Sequence, residues 1–255
     1  MMKRIQRTKV FLIGAILVVA ILVAFTAGAG GNSGTQGSST DVVHVVGSNV
    51  WIVGGYGNNF VYGGKNYTQT NGFITIDVNN KTNEGIVVAE WNVKNWNYDG
   101  SKPSATGKMK VIWTDFSGQA DFMDGGIANN LYLHGDSGKE APVLPTVYTY
   151  SAGWGLADVY LNGKKIYDDV IAHYMVTDGT RDPLTHAVYK SDGKSMFVPK
   201  PMGGDSGDGF VYEDRIMTHL VVHTDVMDKG NNFPPFTMFM HINFEITSIS
   251  NVSRL

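Results

Sequence analysis

The chain has 255 residues, of which 43% are hydrophobic, 17% are charged and none is cysteine. This length can bury a substantial core, and the lack of cysteine excludes disulfides, cysteine-ligated zinc and iron–sulfur clusters. After residue 40 the chain carries 16 basic and 23 acidic residues, a net charge of −7, which would repel a phosphate backbone and argues against nucleic-acid binding.

Residues 1–29 are predicted to be a signal peptide or a membrane-anchor helix. Four cations within the first nine residues precede an uninterrupted apolar run of 16 residues, VFLIGAILVVAILVAF. Counted on to Ala29, the stretch reaches about 20 residues, the length that spans a bilayer. Ala27-Gly28-Ala29 also offers a signal-peptidase site. We favour the anchor over the cleaved peptide, and the cations predict that everything after it lies outside the cytoplasm.

Residues 30–41 are rich in glycine and serine and are predicted to form a flexible linker. Beyond them no long helical period appears, and short runs of alternating or β-branched residues recur between turn signals about every ten residues. The predicted strands lie at 42–46, 50–54, 72–78, 84–93, 107–116, 130–135, 146–151, 157–170, 170–176, 187–192, 216–224 and 236–249.

This spacing of strands predicts the fold class of residues 42–255. We expect one all-β domain, an antiparallel β-sandwich of Greek-key or jelly-roll type, with a Greek-key barrel as the alternative. The Asn162-Gly163 pair predicts a hairpin with a type I′ turn, because such a turn needs positive φ at both central residues.

Three of the seven histidines lie in the last two predicted strands. Side chains alternate across a strand, so His219 and His223 share one face of the first strand, and His241 lies on the corresponding face of the second. If the strands form a hairpin centred on Gly230, His219 lies directly opposite His241. Opposed side chains have Cβ atoms about 4.5–5.5 Å apart, which lets two imidazoles share one ion.

We therefore predict a metal site formed by His219, His241 and His223, with His173 and His186 as further candidate ligands. A thioether from Met175 or Met217 beside the imidazoles would favour copper, whereas a carboxylate would favour zinc. The alternative is that the histidines are polar residues of a solvated sheet face, and the lack of an H-x-H or H-E-x-x-H motif is in keeping with it.

A second candidate metal site is a glycine-rich segment that gathers Asp205, Asp208 and Asp214. Calcium prefers several oxygen ligands on a loop that turns sharply. The segment does not match the EF-hand pattern, so a solvated loop is the alternative.

No complete catalytic signature is present, and no catalytic residue is assigned. The leading interpretation is an exported, membrane-tethered or secreted binding module that binds copper or zinc and contacts the membrane through its N-terminal helix. One alternative is a cell-surface or filament subunit that self-assembles by adding the segment 41–53 to a neighbour's sheet. Another is a copper-dependent oxidoreductase. Strand addition predicts that Val42–Val46 is unpaired within the protein, whereas a self-contained module pairs it internally.

Overall fold

The computed structural model describes residues 42–116, 126–133, 143–199, 209–228 and 234–251, all of which belong to one unit of the chain. The described residues form ten strands. They are β1 Val42–Val53, β2 Tyr67–Thr70, β3 Gly72–Asn79, β4 Glu84–Trp96, β5 Ala105–Asp115, β6 Ile127–Leu133, β7 Val147–Leu161, β8 Lys164–Gly179, β9 Tyr212–His223 and β10 Phe239–Ser250.

Eight of these strands close into an antiparallel barrel in the order β1, β3, β4, β5, β7, β8, β9 and β10, and β10 pairs back with β1. With β2 and β6 set aside, and apart from the closing pair β1–β10, neighbours in the barrel follow one another along the chain, which is the up-and-down arrangement. The two short strands extend the wall. β1 pairs with β3 through residues 42–47 and with β2 through 50–53, while β7 pairs with both β5 and β6.

The prediction of an antiparallel all-β domain is confirmed, and the prediction of a Greek-key sandwich is wrong. Strand length and turn spacing are the same in both architectures, so they do not distinguish them. The decisive pairing joins β1 to β10, where His44 lies opposite Ser250 and Val53 opposite His241. In a sandwich these strands would leave edges exposed, whereas closure removes the edges.

Apolar side chains fill the interior of the barrel. Alternation decides which residues enter it: Val43 and Val45 of β1 are fully buried, while Val42 and Val46 are exposed. Aromatic rings occupy much of the space, and the ring centroids of Trp113 and Phe116 are 4.6 Å apart. An eight-stranded barrel is just wide enough for side chains to fill it, so this interior is a packed core.

The predicted turn at Asn162-Gly163 is confirmed. Their φ values are 51° and 80°, and the turn joins β7 to β8 with Leu161 opposite Lys164. The predicted strand at 187–192 is wrong, because this stretch forms only isolated bridges, of Tyr189 with Met196 and of Lys190 with Gly209.

Two segments without regular strands, residues 54–66 and 180–199, lie against the outside of the barrel and are called the cover below. Phe60 and Val188 of the cover pack with Phe239 on the outer face of β10. The two segments are joined by a hydrogen bond from the Val188 amide to the Tyr62 carbonyl at 2.7 Å. The cover therefore converts one part of the outer wall into a buried layer.

The predicted anchor and linker, residues 1–41, lie outside the described residues. Within the described ranges, no helix is long and apolar enough to cross a membrane.

Gly47 at the seam between the first and last strands gives a test of barrel closure. A Cβ atom there would meet Ile74 Cγ2 at 2.6 Å and Phe244 Cβ at 2.9 Å, so we expect Gly47→Ala to lower the free energy of unfolding by about 1–3 kcal/mol. Urea unfolding measures this. Gly63→Ala is the control, because the nearest atom to its new Cβ would be Met196 Cε at 3.6 Å. Equal stability of the two variants would contradict the tight seam.

Candidate functional site

The outer faces of β8, β9 and β10 carry a regular grid of side chains beneath the cover. In one row His219 lies between Met175 and Asn243, and in the next row Val221 separates the other two histidines, His173 and His241. His219 is therefore the diagonal neighbour of both other histidines. We call His173, His219, His241, Asn243 and Met175 the outer-wall cluster.

The outer-wall cluster is buried, contrary to the alternative of a solvated sheet face. His219 is 4% exposed and His241 1% exposed. The cause is the cover, since the Phe60 ring packs against the His241 ring in a tilted arrangement with centroids 4.7 Å apart. Alternation alone indicates that these residues point away from the barrel core, but the cover makes their surroundings as dry as the core.

The predicted register of the β9–β10 hairpin is wrong by two residues, because His219 lies opposite Asn243 and His241 lies opposite Val221. The connection between the strands carries its own bridge, Met227 with Phe236, so the turn is not a simple continuation of the ladder. The two histidines nevertheless share one face. His219 Nδ1 lies 3.4 Å from His241 Nε2, and the ring centroids are 5.7 Å apart.

Both imidazoles of this pair are held neutral. Burial lowers the pKa of His219 to about 3, with a further lowering by the charge of Arg181. Burial also lowers the pKa of His241 well below its usual range, assisted by His219 and Arg181. The Asn243 carboxamide opposes both shifts, but among the described residues its oxygen has no hydrogen-bond partner of good geometry. A neutral imidazole is the form that ligates a metal.

The distance between the facing nitrogens suits a shared ion. Two nitrogens bound to one tetrahedral zinc at 2.0–2.1 Å are separated by about 3.3 Å, close to the observed 3.4 Å. A hydrogen bond between nitrogens at 3.4 Å is long by comparison with the usual 2.7–3.2 Å of N–H donors. The outward nitrogens, His219 Nε2 and His241 Nδ1, have no hydrogen-bond partner among the described residues.

The other predicted ligands take separate places. His173 stacks on Trp154 with centroids 4.7 Å apart and donates Nδ1–H to the Gly153 carbonyl at 2.9 Å, so its lone pair is on Nε2. His223 packs on Phe236 at 4.0 Å and donates Nδ1–H to the Thr224 carbonyl at 2.8 Å. In the described part of the chain, no three histidines have ligand atoms within 4.8 Å of one another.

Histidine 186 belongs to the cover and joins a second group of polar residues next to the pair. Its Nδ1 lies 3.2 Å from Glu245 Oε1, the oxygen that also accepts a hydrogen bond from the Tyr67 hydroxyl at 3.0 Å. Asn243 Nδ2 donates to the same hydroxyl at 3.2 Å. Arg215 also contacts this carboxylate, with its Nη2 3.6 Å from Glu245 Oε2.

Arg181 is the functional residue that sequence reasoning missed. It is 1% exposed and donates to the Val61 carbonyl at 2.6 Å and the His186 carbonyl at 2.9 Å, and its guanidinium lies over the Tyr67 ring at 4.6 Å. No periodic pattern marks this residue in the sequence, because it lies in an irregular segment. Arg181 therefore joins the two segments of the cover, and its contact with Tyr67 of β2 links the cover to the barrel wall.

One of the three predicted calcium ligands lies within the described residues. Asp205 and Asp208 lie outside the described residues, and Asp214 is exposed on β9, so the calcium site remains a prediction. A different acidic group, Asp158 with Asp168 and Asp169, has ligand atoms close together. Lys165 already lies 2.6 Å from Asp158 and 2.7 Å from Asp168, which neutralises much of that group.

Comparisons of the chain with protein-family models, with curated proteins and with solved structures find no match. The site is therefore interpreted from its own geometry.

The buried histidine pair predicts a pH-dependent stability. Both rings are neutral in the folded protein but protonate near pH 6.5 once unfolded, so the unfolded state binds more protons between about pH 6.5 and pH 3. The free energy of unfolding should therefore fall on acidification below pH 6.5, by about 1.4 kcal/mol per pH unit for each ring. Urea unfolding from pH 7.5 to 4.5 measures this slope.

The double variant His219→Gln/His241→Gln should lose most of that slope. His44→Gln is the control, because His44 is exposed on β1, and it should keep the slope. An identical pH dependence in all three proteins would show that the pair is not protonated on unfolding in this range.

Arg181→Met should loosen the two segments of the cover from each other and from the barrel wall. The change leaves two buried carbonyls without their donor, and we expect a loss of about 3 kcal/mol in the free energy of unfolding. Hydrogen exchange should show faster exchange at the Val188 amide than in the wild-type protein. Lys190→Met, in the same segment and half-buried, is the control, and equal exchange in the two variants would contradict this role of Arg181.

Proposed function

We propose that the protein is an exported metal-binding module in which Nδ1 of His219 and Nε2 of His241 bind one transition-metal ion, zinc or copper. The observation that carries the proposal is the pair itself, two buried and neutral imidazoles whose facing nitrogens are 3.4 Å apart. Burying two histidines without complete hydrogen bonding is unfavourable, and a bound ion would offset that cost.

The surroundings of the pair support metal binding. A ligating imidazole carries its proton on the other nitrogen and needs an acceptor there. Asn243 influences both rings, and its Oδ1, which has no hydrogen-bond partner among the described residues, is the candidate acceptor. His173 is oriented as a ligand would be, since the hydrogen bond of its Nδ1 to a carbonyl leaves the lone pair on Nε2. It is the diagonal neighbour of His219 and could act as a third nitrogen only after its ring moves, because no three histidines in the described part of the chain have ligand atoms within 4.8 Å of one another.

The burial of the pair favours binding over catalysis. A metal centre that turns over substrate keeps a coordination position open to a pocket. Here the His241 ring is 1% exposed beneath Phe60. We therefore prefer a storage or structural role for the ion to the alternative of a copper-dependent oxidoreductase.

Strand pairing favours a self-contained module over strand addition. Val42–Gly47 pairs with β3 along one edge, and the same strand pairs with β10 along the other. The segment that would enter a neighbour's sheet therefore already has partners on both sides, and it would have to leave its own barrel to assemble.

The proposed location follows from the N-terminal sequence. Cations before a long apolar run favour insertion with the following residues outside the cytoplasm, and the linker 30–41 would give the barrel freedom to move near the membrane. The proposed partners are thus the membrane, through residues 1–29, and a metal ion.

Metal analysis of the full-length chain tests the proposal. The chain would be extracted in detergent without chelator or affinity histidines, and its metal measured by mass spectrometry. We expect about one equivalent of zinc or copper, and removal of the ion by a chelator should lower the midpoint of thermal unfolding. His219→Ala/His241→Ala should lose the metal.

His223→Ala is the matched control, because His223 lies on the same strand face but outside the pair. It should retain the metal. A wild-type protein that holds no ion and takes up none when zinc or copper is added would refute the proposal, as would full retention of metal by the double variant.

A further inference from the structure

We propose that the site selects monovalent copper, with the thioether of Met175 as the ligand beside the histidine pair. The inference rests on the proposed function, because it assigns the identity of the ion held by His219 and His241. It adds a specificity-determining residue from a third strand.

Met175 occupies the grid position directly across from His219. The two residues are register partners of β8 and β9 on the outer face, where opposed Cβ atoms are about 4.5–5.5 Å apart. An unbranched side chain with three rotatable bonds reaches across such a gap easily. Met175 is 1% exposed and lies in an apolar group with Trp154, which keeps water from the sulfur.

The chemistry of this ligand set separates the two candidate metals. Thioether sulfur is a soft ligand that prefers monovalent copper, whereas zinc is commonly completed by thiolate, imidazole or carboxylate. The nearby carboxylate, Glu245, is already engaged by Tyr67, His186 and Arg215. The ligands available to the pair are therefore imidazole and thioether.

The charge of the ion matters as much as the softness of the ligands. The positive charge of the buried Arg181 disfavours a proton on either ring of the pair, and it repels a metal ion there for the same reason. A divalent ion experiences twice the repulsion of a monovalent one. The cost of moving an ion out of water also grows with the square of its charge. Both effects favour monovalent copper over zinc.

A second methionine provides a matched control. Met217 lies on β9, two positions from His219 on the same face, and is 2% exposed. Its sulfur is turned to the cover, where the Thr180 amide approaches it at 3.4 Å and the Thr180 hydroxyl at 3.7 Å. Met175→Leu and Met217→Leu thus remove one buried thioether each, with nearly the same change in volume.

The experiment measures the affinity of the full-length chain for each metal. Monovalent copper is supplied without oxygen in competition with a chromogenic chelator, and zinc is titrated separately in the same way. We expect copper to bind more tightly than zinc. Met175→Leu should weaken copper binding at least about tenfold and change zinc binding less than about threefold, while Met217→Leu should change neither. X-ray absorption should detect a sulfur neighbour of copper that disappears only in Met175→Leu.

Each outcome has a distinct meaning. Tighter binding of zinc than of copper would overturn this inference and leave the histidine site intact. So would copper binding that is unchanged in Met175→Leu, provided that circular dichroism shows a folded barrel. A chain that binds neither ion would refute both the inference and the proposed function.

Discussion

The pairing of the first strand with the last is the constraint on which both the core and the candidate site depend. Without the β1–β10 ladder the curved sheet would have two open edges, and its interior would be accessible to water. The same ladder continues the outer grid, because His241 lies opposite Val53 and Asn243 opposite Trp51. Closure therefore positions the side chains of the site as well as the core.

The buried layers on the two sides of the barrel wall differ in polarity. Inside, the main core is largely Val, Ile and aromatic residues, with tyrosine hydroxyls among its polar groups, such as that of Tyr174 beside Ser151. Outside the barrel, the cover also removes polar groups from water, namely several histidines, an arginine and a glutamate. Such groups are costly to bury unless they are paired. Arg181 is paired because it donates hydrogen bonds to two carbonyls of the cover. The contacts of Arg181 with the Tyr67 ring and of His186 with Glu245 hold the cover on the barrel, and the cover keeps the histidines dry.

Part of this arrangement is readable from the sequence. Alternation along the last two strands places His219 and His241 on one face, and Asn162-Gly163 identifies its hairpin. Barrel closure could not be predicted from the sequence, because it depends on a pairing between segments at opposite ends of the domain. The register of β9 and β10 could not be predicted either, since the connection between them contains its own β-bridge. The burial of the histidines comes from the cover, whose irregular backbone has no periodic pattern in the sequence. Within the cover, the pattern of residues 187–192 wrongly predicts a strand.

The distance along the chain between β1 and β10 has a consequence for when the site can form. Contacts between the ends of a chain form late, because the loop between them must close first. The last strand supplies His241, and the cover joins residues near 60 to residues near 186, so a partly synthesised or partly translocated chain lacks the complete pair. If the chain is exported and binds the proposed ion, a chain that crosses the membrane unfolded would arrive without metal. It would then acquire the ion in the compartment where the barrel closes, from the supply present there.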